Sequence, residues 1–292
     1  MTRRFAAAKL FVIVVVVVLL GCIGETPTKE ESVQATTTPP TISELKLKIG
    51  ETAKTSRLEV TVSEVFKTNV IGGKYGNYWA EEGKILVFAK VAAKNIDTKS
   101  RAWYLGPLSF SANDEKGRRY DVEFMSIDDY LEGGDLYPGE YREGYIAFVV
   151  PEDIQKIRIK YDFGGLLEVK LATWEAEMST IPTKSPNVVI KGGGLSYEES
   201  LFSGYTVKTV AIDAQNIGDL PIRLEEVQIK YGDEPWEFLG YAGVKLNPGT
   251  SKTFEFTEFK YLKQNPKQIP VKVRFIDRTP EGEEKIIVEE YI

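Results

Sequence analysis

A period of two limits this chain more than any other feature. From Glu44 onward, apolar and charged residues alternate in short runs such as "RLEVTVSEVF" (57–66), "RRYDVEF" (118–124), "KIRIKYDF" (156–163) and "PVKVRFIDR" (270–278). Successive side chains of a strand point to opposite faces, so this alternation describes half-buried strands and not helices. Further runs at 84–95, 108–114, 141–150 and 166–177 complete a first series. Runs at 187–199, 206–216, 223–231, 251–261 and 284–292 make a second. Gly, Pro, Asn and Asp fill the gaps, as hairpin and inter-strand turns require. "NDEKG" (113–117) reads as one such hairpin turn. Many short strands at this spacing predict an all-β chain built from β-sandwiches.

"STIPTKSPN" (179–187) separates the two series and has the composition of a linker. The halves echo one another across it. In the first, "VAAKNIDTKS" precedes "LYPGEYREGYIAF"; in the second, "IDAQNIGDLP" precedes "LNPGTSKTFEF". In both, an apolar strand ends at an asparagine (Asn95, Asn216), and a Leu-x-Pro-Gly turn launches the next long strand. Proline presets φ at the second turn position and glycine supplies φ > 0 at the third, which predicts a type II turn. An asparagine at a strand end bonds readily to nearby backbone. These are folding signals.

The N-terminus says where the protein is placed. Arg3, Arg4 and Lys9 precede eleven unbroken apolar residues at 10–20. Charge followed by a short apolar run is the order of a secretory signal, and a membrane span needs about 20 apolar residues. Leu19-Leu20-Gly21-Cys22 resembles a lipobox, with small Gly21 at the scissile bond and Cys22 as the lipidated residue. Cys22 is the one cysteine in the chain, so no internal disulfide partner exists for it. Two acyl or ether chains on its sulfur would hold the protein at the membrane, whereas a single chain binds only marginally. An uncleaved anchor helix, extended back to Phe5, is the competing reading. The sequence that follows, "GETPTKEESVQATTTPPTIS" (24–43), holds too little apolar surface to fold and reads as a disordered stalk. The expected organisation is a signal peptide (1–21), a stalk (22–43), a sandwich (44–178), a linker (179–186) and a second sandwich (187–292).

Composition narrows the chemistry. The formal net charge is −6, and loss of residues 1–21 removes three basic residues and no acid. That balance argues against nucleic acid as a partner. There is no histidine, which removes histidine triads, histidine-ligated zinc and their relatives. Any enzyme here would work with carboxylates, Ser, Thr, Tyr or Lys.

A family resemblance rests on "LKIGETAKTSRLEVTVSEVFKT" (47–68), "GKILVFAKVAAKNIDTKSR" (83–101), "FSANDEKGRRYD" (110–121) and "LYPGEYREGYIAFVVPEDIQKIRIKYDF" (136–163). In that order these segments resemble a DUF4352-type domain, over residues 45–178. The resemblance implies a telokin-like, immunoglobulin-like fold of the kind found in surface lipoproteins of bacteria and archaea. It implies an accessory role and carries no catalytic residues. The second sandwich is expected to be immunoglobulin-like from its pattern alone.

Three segments offer candidate sites. "GGKYGNYWAEEG" (72–83) places Tyr75, Tyr78 and Trp79 on an expected loop, and "GDEPWEFLGYAG" (232–243) does the same for Trp236 and Tyr241. Exposed aromatics give large contact area at low entropic cost and suit a protein or glycan partner; the alternative is that each loop folds back to cap its own sandwich. "SIDDYLEGGD" (126–135) gathers Asp128, Asp129, Glu132 and Asp135. Such carboxylates suit Ca²⁺ by chemistry, but they lack the ligand spacing of an EF-hand, and a solvated acidic loop is the competing reading. No other cofactor is expected. The glycines of "IKGGGLS" (190–196) lack the pattern of a phosphate loop.

The expectation is therefore a non-enzymatic binding module on the extracytoplasmic face of the membrane, held by Cys22 and directed at an envelope protein or glycan. A structural spacer and a carboxylate-dependent glycan enzyme using Glu81 or Asp128 are the alternatives. Intact mass tests the anchor: the mature chain should begin at Cys22 and carry a lipid adduct. Cys22→Ser should abolish lipid labelling and leave the signal uncleaved. A full-length chain with unmodified Cys22 would identify the anchor helix instead.

Overall fold

The computed structural model describes residues 44–99, 101–164, 169–200 and 204–292. Cys22, the signal segment and the stalk lie outside the described residues. The chain is all-β. In the first half the strands are β1 (Glu44–Lys48), β2 (Thr52–Lys54), β3 (Leu58–Thr68), β4 (Val70–Gly72), β5 (Asn77–Trp79), β6 (Lys84–Asn95), β7 (Trp103–Leu105), β8 (Phe110–Asp114), β9 (Arg119–Asp121), β10 (Gly134–Leu136), β11 (Tyr141–Pro151), β12 (Lys156–Asp162) and β13 (Leu171–Glu177). The second half contributes β14 (Val188–Ser200), β15 (Gly204–Asn216), β16 (Ile222–Tyr231), β17 (Glu237–Leu246), β18 (Ser251–Thr257), β19 (Tyr261–Leu262), β20 (Val271–Arg278) and β21 (Glu284–Tyr291).

The first sandwich packs a sheet of order β1-β13-β12-β8-β9 on one of order β11-β6-β3-β2. Trp174, Phe148, Val62, Val87, Ile157 and Ile159 are among the residues enclosed between them. The second packs β14-β15-β18, with β19 on β15, against β17-β16-β20-β21, around Phe275, Ile229, Leu224, Val210 and Ile212. Each core is filled by the apolar phase of the alternating strands, as the period of two requires.

The echoed asparagines do the same work in both sandwiches. Asn95 and Asn216 are fully buried. Asn95 donates from Nδ2 to the carbonyls of Arg101 and Leu136, each at 2.8 Å, and its Oδ1 accepts from Asp97 N–H at 2.9 Å. Asn216 donates to the carbonyls of Leu220 (2.8 Å) and Leu246 (3.0 Å), and its Oδ1 accepts from Gly218 N–H at 3.0 Å. Its main chain completes the match: Gly139 N–H donates to the Asn95 carbonyl and Gly249 N–H to that of Asn216, both at 2.8 Å. The Pro-Gly turns have the predicted geometry, with Gly139 at φ 83° and Gly249 at φ 76°. The "NDEKG" hairpin forms between β8 and β9 with Gly117 at φ 80°. There Asp114, fully buried, accepts from Lys116 N–H, Arg118 N–H and Tyr120 Oη. Burial alone would raise the Asp114 carboxyl, but the bonds from Arg118 and Tyr120 outweigh it and hold the group at about 2.

Segments read as loops prove partly to be strands. Residues 72–83 contain the β4–β5 hairpin, and 232–243 run into β17. Two register shifts where β17 pairs with β16 break the strict alternation there. The segment after β13 is not slack. Lys67 N–H donates to the Pro182 carbonyl (3.0 Å), Lys184 N–H to the Lys67 carbonyl (2.9 Å), and Lys67 Nζ to the Met178 carbonyl (2.7 Å). A third, smaller core lies on the outer face of the β11-β6-β3 sheet. It joins Phe66, Leu86, Phe88, Ile71, Met125 and Ala147 to Leu220 of the second sandwich. The unbroken apolar run "ILVFA" in β6 is buried on both faces for that reason.

Asn216→Ala should destabilise the protein by about 2–4 kcal/mol, since it strands two buried carbonyls without a donor, and Asn95→Ala by about 1–3 kcal/mol, since it strands the buried Leu136 carbonyl and the part-buried one of Arg101. Urea unfolding checks this; a loss below 0.5 kcal/mol, the size of an ordinary surface substitution, would show that water satisfies those carbonyls.

Candidate functional site: the junction between the sandwiches

The β4–β5 hairpin of the first sandwich is docked onto the second. Gly72 N–H donates to the Pro221 carbonyl at 2.7 Å. A Cβ on Gly72 would lie 2.7 Å from Ile222 Cα, so no larger residue allows this approach. Asn77 pairs with the main chain of Arg223: Oδ1 accepts from its N–H and Nδ2 donates to its carbonyl, both at 2.8 Å. The same Nδ2 donates to Asp277 Oδ2 at 3.0 Å, and Trp79 Nε1 donates to that oxygen at 2.6 Å. Asp277 Oδ1 accepts from Arg278 N–H at 2.9 Å. The Asp277 carboxylate is buried, and these three donors satisfy it, as a desolvated charge requires. One ion pair crosses the junction, Lys245 to Asp128, and another ties the connecting segment to β3, Lys184 to Glu64, each at 2.6 Å. The bond from Lys184 holds the Glu64 carboxyl below the ordinary carboxylate range. Burial, reinforced by Glu64, pushes the neighbouring Tyr145 hydroxyl up to about 12.

The predicted aromatic residues separate into two roles. Trp79 does not cap its own sandwich but is fixed on Asp277 of the other. The Tyr78 hydroxyl accepts from Ser126 N–H at 2.6 Å and anchors the covering loop. Trp236 lies over the Arg274 guanidinium at 4.5 Å, and Arg274 in turn donates twice to Gln228 Oε1, so this indole belongs to the sheet's own polar network. Tyr75 and Tyr241 remain open, 77% and 74% exposed. Phe238, which the sequence reading did not single out, joins Tyr241 in an edge-on contact with ring centroids 5.0 Å apart, and is 54% exposed.

One side chain bonds to the main chain beside Tyr75 and to that near Tyr241. Arg223 donates from one guanidinium nitrogen to the Lys74 carbonyl (3.4 Å) and from the other to the Gly243 carbonyl (2.9 Å), while its Nε pairs with Glu225. The loop carrying Tyr75 and the strand carrying Tyr241 and Phe238 are thus held by one guanidinium, on opposite sides of the boundary between the sandwiches.

On its other side the hairpin walls a cleft of about 860 Å³. Trp79 and Asn77 line it, with residues 80–84 and Glu152 from the first sandwich and residues 279–281, Glu283 and Lys285 from the second. Glu81 stands here, exposed and paired to Lys84 at 2.6 Å.

The acidic segment 126–135 is held through its main chain and does not gather its carboxylates. Asp128 is drawn to Lys245. Asp129, at φ 57°, offers its carbonyl to Tyr145 N–H, and the carbonyls of Glu132 and Asp135 accept from Arg142. Among the described residues no group of three or more Asp, Glu, His or Cys is placed to hold a metal ion.

Residues 47–169 match a family described as a domain of unknown function, DUF4352. The first sandwich is a DUF4352 domain. Residues 187–292 lie outside the match. Among solved structures, the chain is similar to ycdA, a candidate lipoprotein of Bacillus subtilis, at 15% identity and TM-score 0.36, over 46% of this chain and 39% of that one. It thus spans about two fifths of that protein's length. An uncharacterized β-sandwich protein of Clostridium difficile 630 is similar at 17% identity and TM-score 0.33, over 51% of this chain and 99% of that one. The secreted protein MPT63 of Mycobacterium tuberculosis is similar at 17% identity and TM-score 0.34, over 46% and 98%. No curated protein matches the sequence.

A double-mutant cycle tests the junction of the DUF4352 domain. Trp79→Phe and Asp277→Ala should show a coupling of about 1.5–3 kcal/mol in urea unfolding, the range for a hydrogen bond to a charged group. Additive effects would mean that the indole is held by packing alone.

Proposed function

We propose that the protein is a non-enzymatic binding module, lipid-anchored through Cys22 on the extracytoplasmic face of the membrane. Its contact surface is the composite patch of Tyr75, Phe238 and Tyr241. The observation that carries this reading is Arg223, which bonds to the main chain beside Tyr75 and to that near Tyr241. Exposed rings held on a rigid frame bind with little loss of conformational entropy. An envelope protein or glycan suits such a patch, and nucleic acid does not suit the acidic chain.

Strand direction supports the placement. β1 runs parallel to β13, and β13 leads directly into the segment that touches the second sandwich. Glu44, at the start of β1, therefore lies at the end of the first sandwich remote from the junction. The enzymatic alternative draws on the cleft, whose lips carry several glutamates. All of them are exposed to water, which is the opposite of the desolvated setting that raises the carboxyl of a general acid.

Site-specific photo-crosslinking in detergent-solubilised membranes tests the reading. A crosslinker at position 238 should capture one envelope component, and Tyr75→Ala with Tyr241→Ala should reduce capture at least tenfold. Tyr291→Ala, on an exposed tyrosine outside the patch, should not. Equal capture by all variants would exclude the composite surface.

A further inference from the structure

The end of the first sandwich at which the chain enters carries a surface of its own. Strand pairing shows what gathers there. β3 ends beside the connecting segment, since the Lys67 main chain bonds to residues 182 and 184 and its ammonium group to the Met178 carbonyl. β13 ends there as well, at Glu177. The starts of both strands therefore share the other end of the sandwich, with Leu58 opposite Asn95 and Leu171 opposite Glu44. Asn95 ties Arg101 and Leu136 to this end through their carbonyls. Beside Leu136, Tyr104 pairs with Asp135 in the β7–β10 ribbon. Residues 106–109 lead from there to Phe110, which pairs with Tyr161 and so reaches the start of β13. On this end Tyr104, Leu108 and Tyr137 stand 60%, 73% and 56% exposed. Two bare glycines seat the Tyr104 ring: a Cβ on Gly106 would lie 2.9 Å from it, and one on Gly133 2.7 Å from its hydroxyl. Around Asn95, the side chains of Lys94, Lys99 and Arg101 are exposed and make no ion pair or hydrogen bond among the described residues.

Tyrosine joins an apolar ring to a polar tip, and such side chains collect where a bilayer meets water. Unpaired ammonium and guanidinium groups suit the phosphates of lipid headgroups. Asp135 and Glu140 are exposed at the same end, so the rings and Leu108 carry more of such a contact than charge does. Position adds a second argument. The described residues begin at Glu44, and the chain from Cys22 to Glu44 spans at most about 75 Å even fully extended. We infer that this end of the first sandwich rests on the lipid surface to which the chain is anchored, with Tyr104, Leu108 and Tyr137 among the headgroups and Lys94, Lys99 and Arg101 on their phosphates. A tether presents the domain to the membrane at high effective concentration, so a contact too weak to hold a free protein suffices. The inference rests on the reading that the chain is anchored through Cys22, and it shares no residue with the composite patch.

The test is quenching by spin-labelled lipid. Full-length protein purified from membranes is reconstituted into phosphatidylcholine vesicles that contain a doxyl lipid labelled near the headgroup. With Cys22 lipidated, Leu108→Cys and the control Tyr291→Cys each offer one thiol for a polarity-sensitive dye. Tyr291 is exposed on the second sandwich. Dye at 108 should shift to the blue and be quenched several-fold more than dye at 291, since interfacial groups sit about 5–10 Å into the headgroup–acyl boundary. Tyr104→Ser with Tyr137→Ser should remove most of that difference, and Lys99→Gln with Arg101→Gln should reduce it less. A urea midpoint equal to the parent's shows that each variant keeps its fold. Equal quenching at 108 and 291, or quenching at 108 that survives the tyrosine changes, would overturn the inference. A blue shift at 108 without quenching would set the label against a second copy of the protein and overturn it equally. The anchor is read separately. Dye uptake by the unsubstituted chain would report a free Cys22 thiol and refute the lipid anchor, while the difference between 108 and 291 would still decide whether the sandwich rests on lipid.

Discussion

Each sandwich depends on one buried asparagine at the end of a central strand. β6 lies between β11 and β3, and β15 between β14 and β18, so the register of either strand sets that of its whole sheet. A slip of one residue would turn every apolar side chain outward. Asn95 and Asn216 oppose such slips because their amides bond to carbonyls on two separate segments, one just downstream and one ahead of the Pro-Gly turn. The amide has the right number of donors at a fixed angle, and both asparagine side chains are closed to water. An aspartate would lack the donors, and a serine would reach one carbonyl at most. Two stranded carbonyls cost a sizeable part of the 5–15 kcal/mol that keeps a domain folded.

The same pin in both halves is informative because the family match covers only the first. Outside the match, "IDAQN" and "LNPG" repeat the main bonds of "VAAKN" and "LYPG", including the glycine N–H returned to the asparagine carbonyl, and Asn216 Oδ1 adds a bond from Asn187 N–H at 3.2 Å. The halves differ in what is inserted between pin and turn. In the first, residues 125–137 cover the outer face of the sheet and build the small core around Phe66 and Phe88. In the second, the shorter connection leaves Leu220 and Pro221 free to enter that core and to meet Gly72.

Local physics made much of the fold legible in the sequence. The strands, the φ > 0 glycines at 117, 139 and 249, and the pinned asparagines all follow from period and turn chemistry. β17 was hidden because Gly240, Gly243 and two register shifts disguise its alternation. The candidate site was half visible. Aromatic residues on 72–83 and 236–241 could be picked out, but not their fates, since Trp79 meets a carboxylate nearly 200 residues away. One signal was available: Asp277 falls in the inward phase of "VKVRFID", where its neighbours Val271, Val273 and Phe275 are core. An acid in the apolar phase of a strand needs partners, and the sequence cannot say which. The acidic run at 128–135 misleads in the opposite way, because density along a chain does not imply convergence in space.

The junction combines two kinds of interaction with different consequences. Leu220 in the shared core is non-directional and would tolerate rotation of one sandwich against the other. The Asp277 carboxylate is not, because Trp79, Asn77 and the Arg278 N–H must all reach it at bonding angles. A buried charge is weak evidence for strength, since its desolvation offsets most of what its partners return. What it supplies here is orientation. The β4–β5 hairpin that reaches Asp277 also carries Tyr75 to the Arg223 side and forms the Trp79 wall of the cleft. Both surfaces are therefore defined by the same few bonds. A change that released Asp277 from the hairpin would disturb the two together, although they share no contact residue.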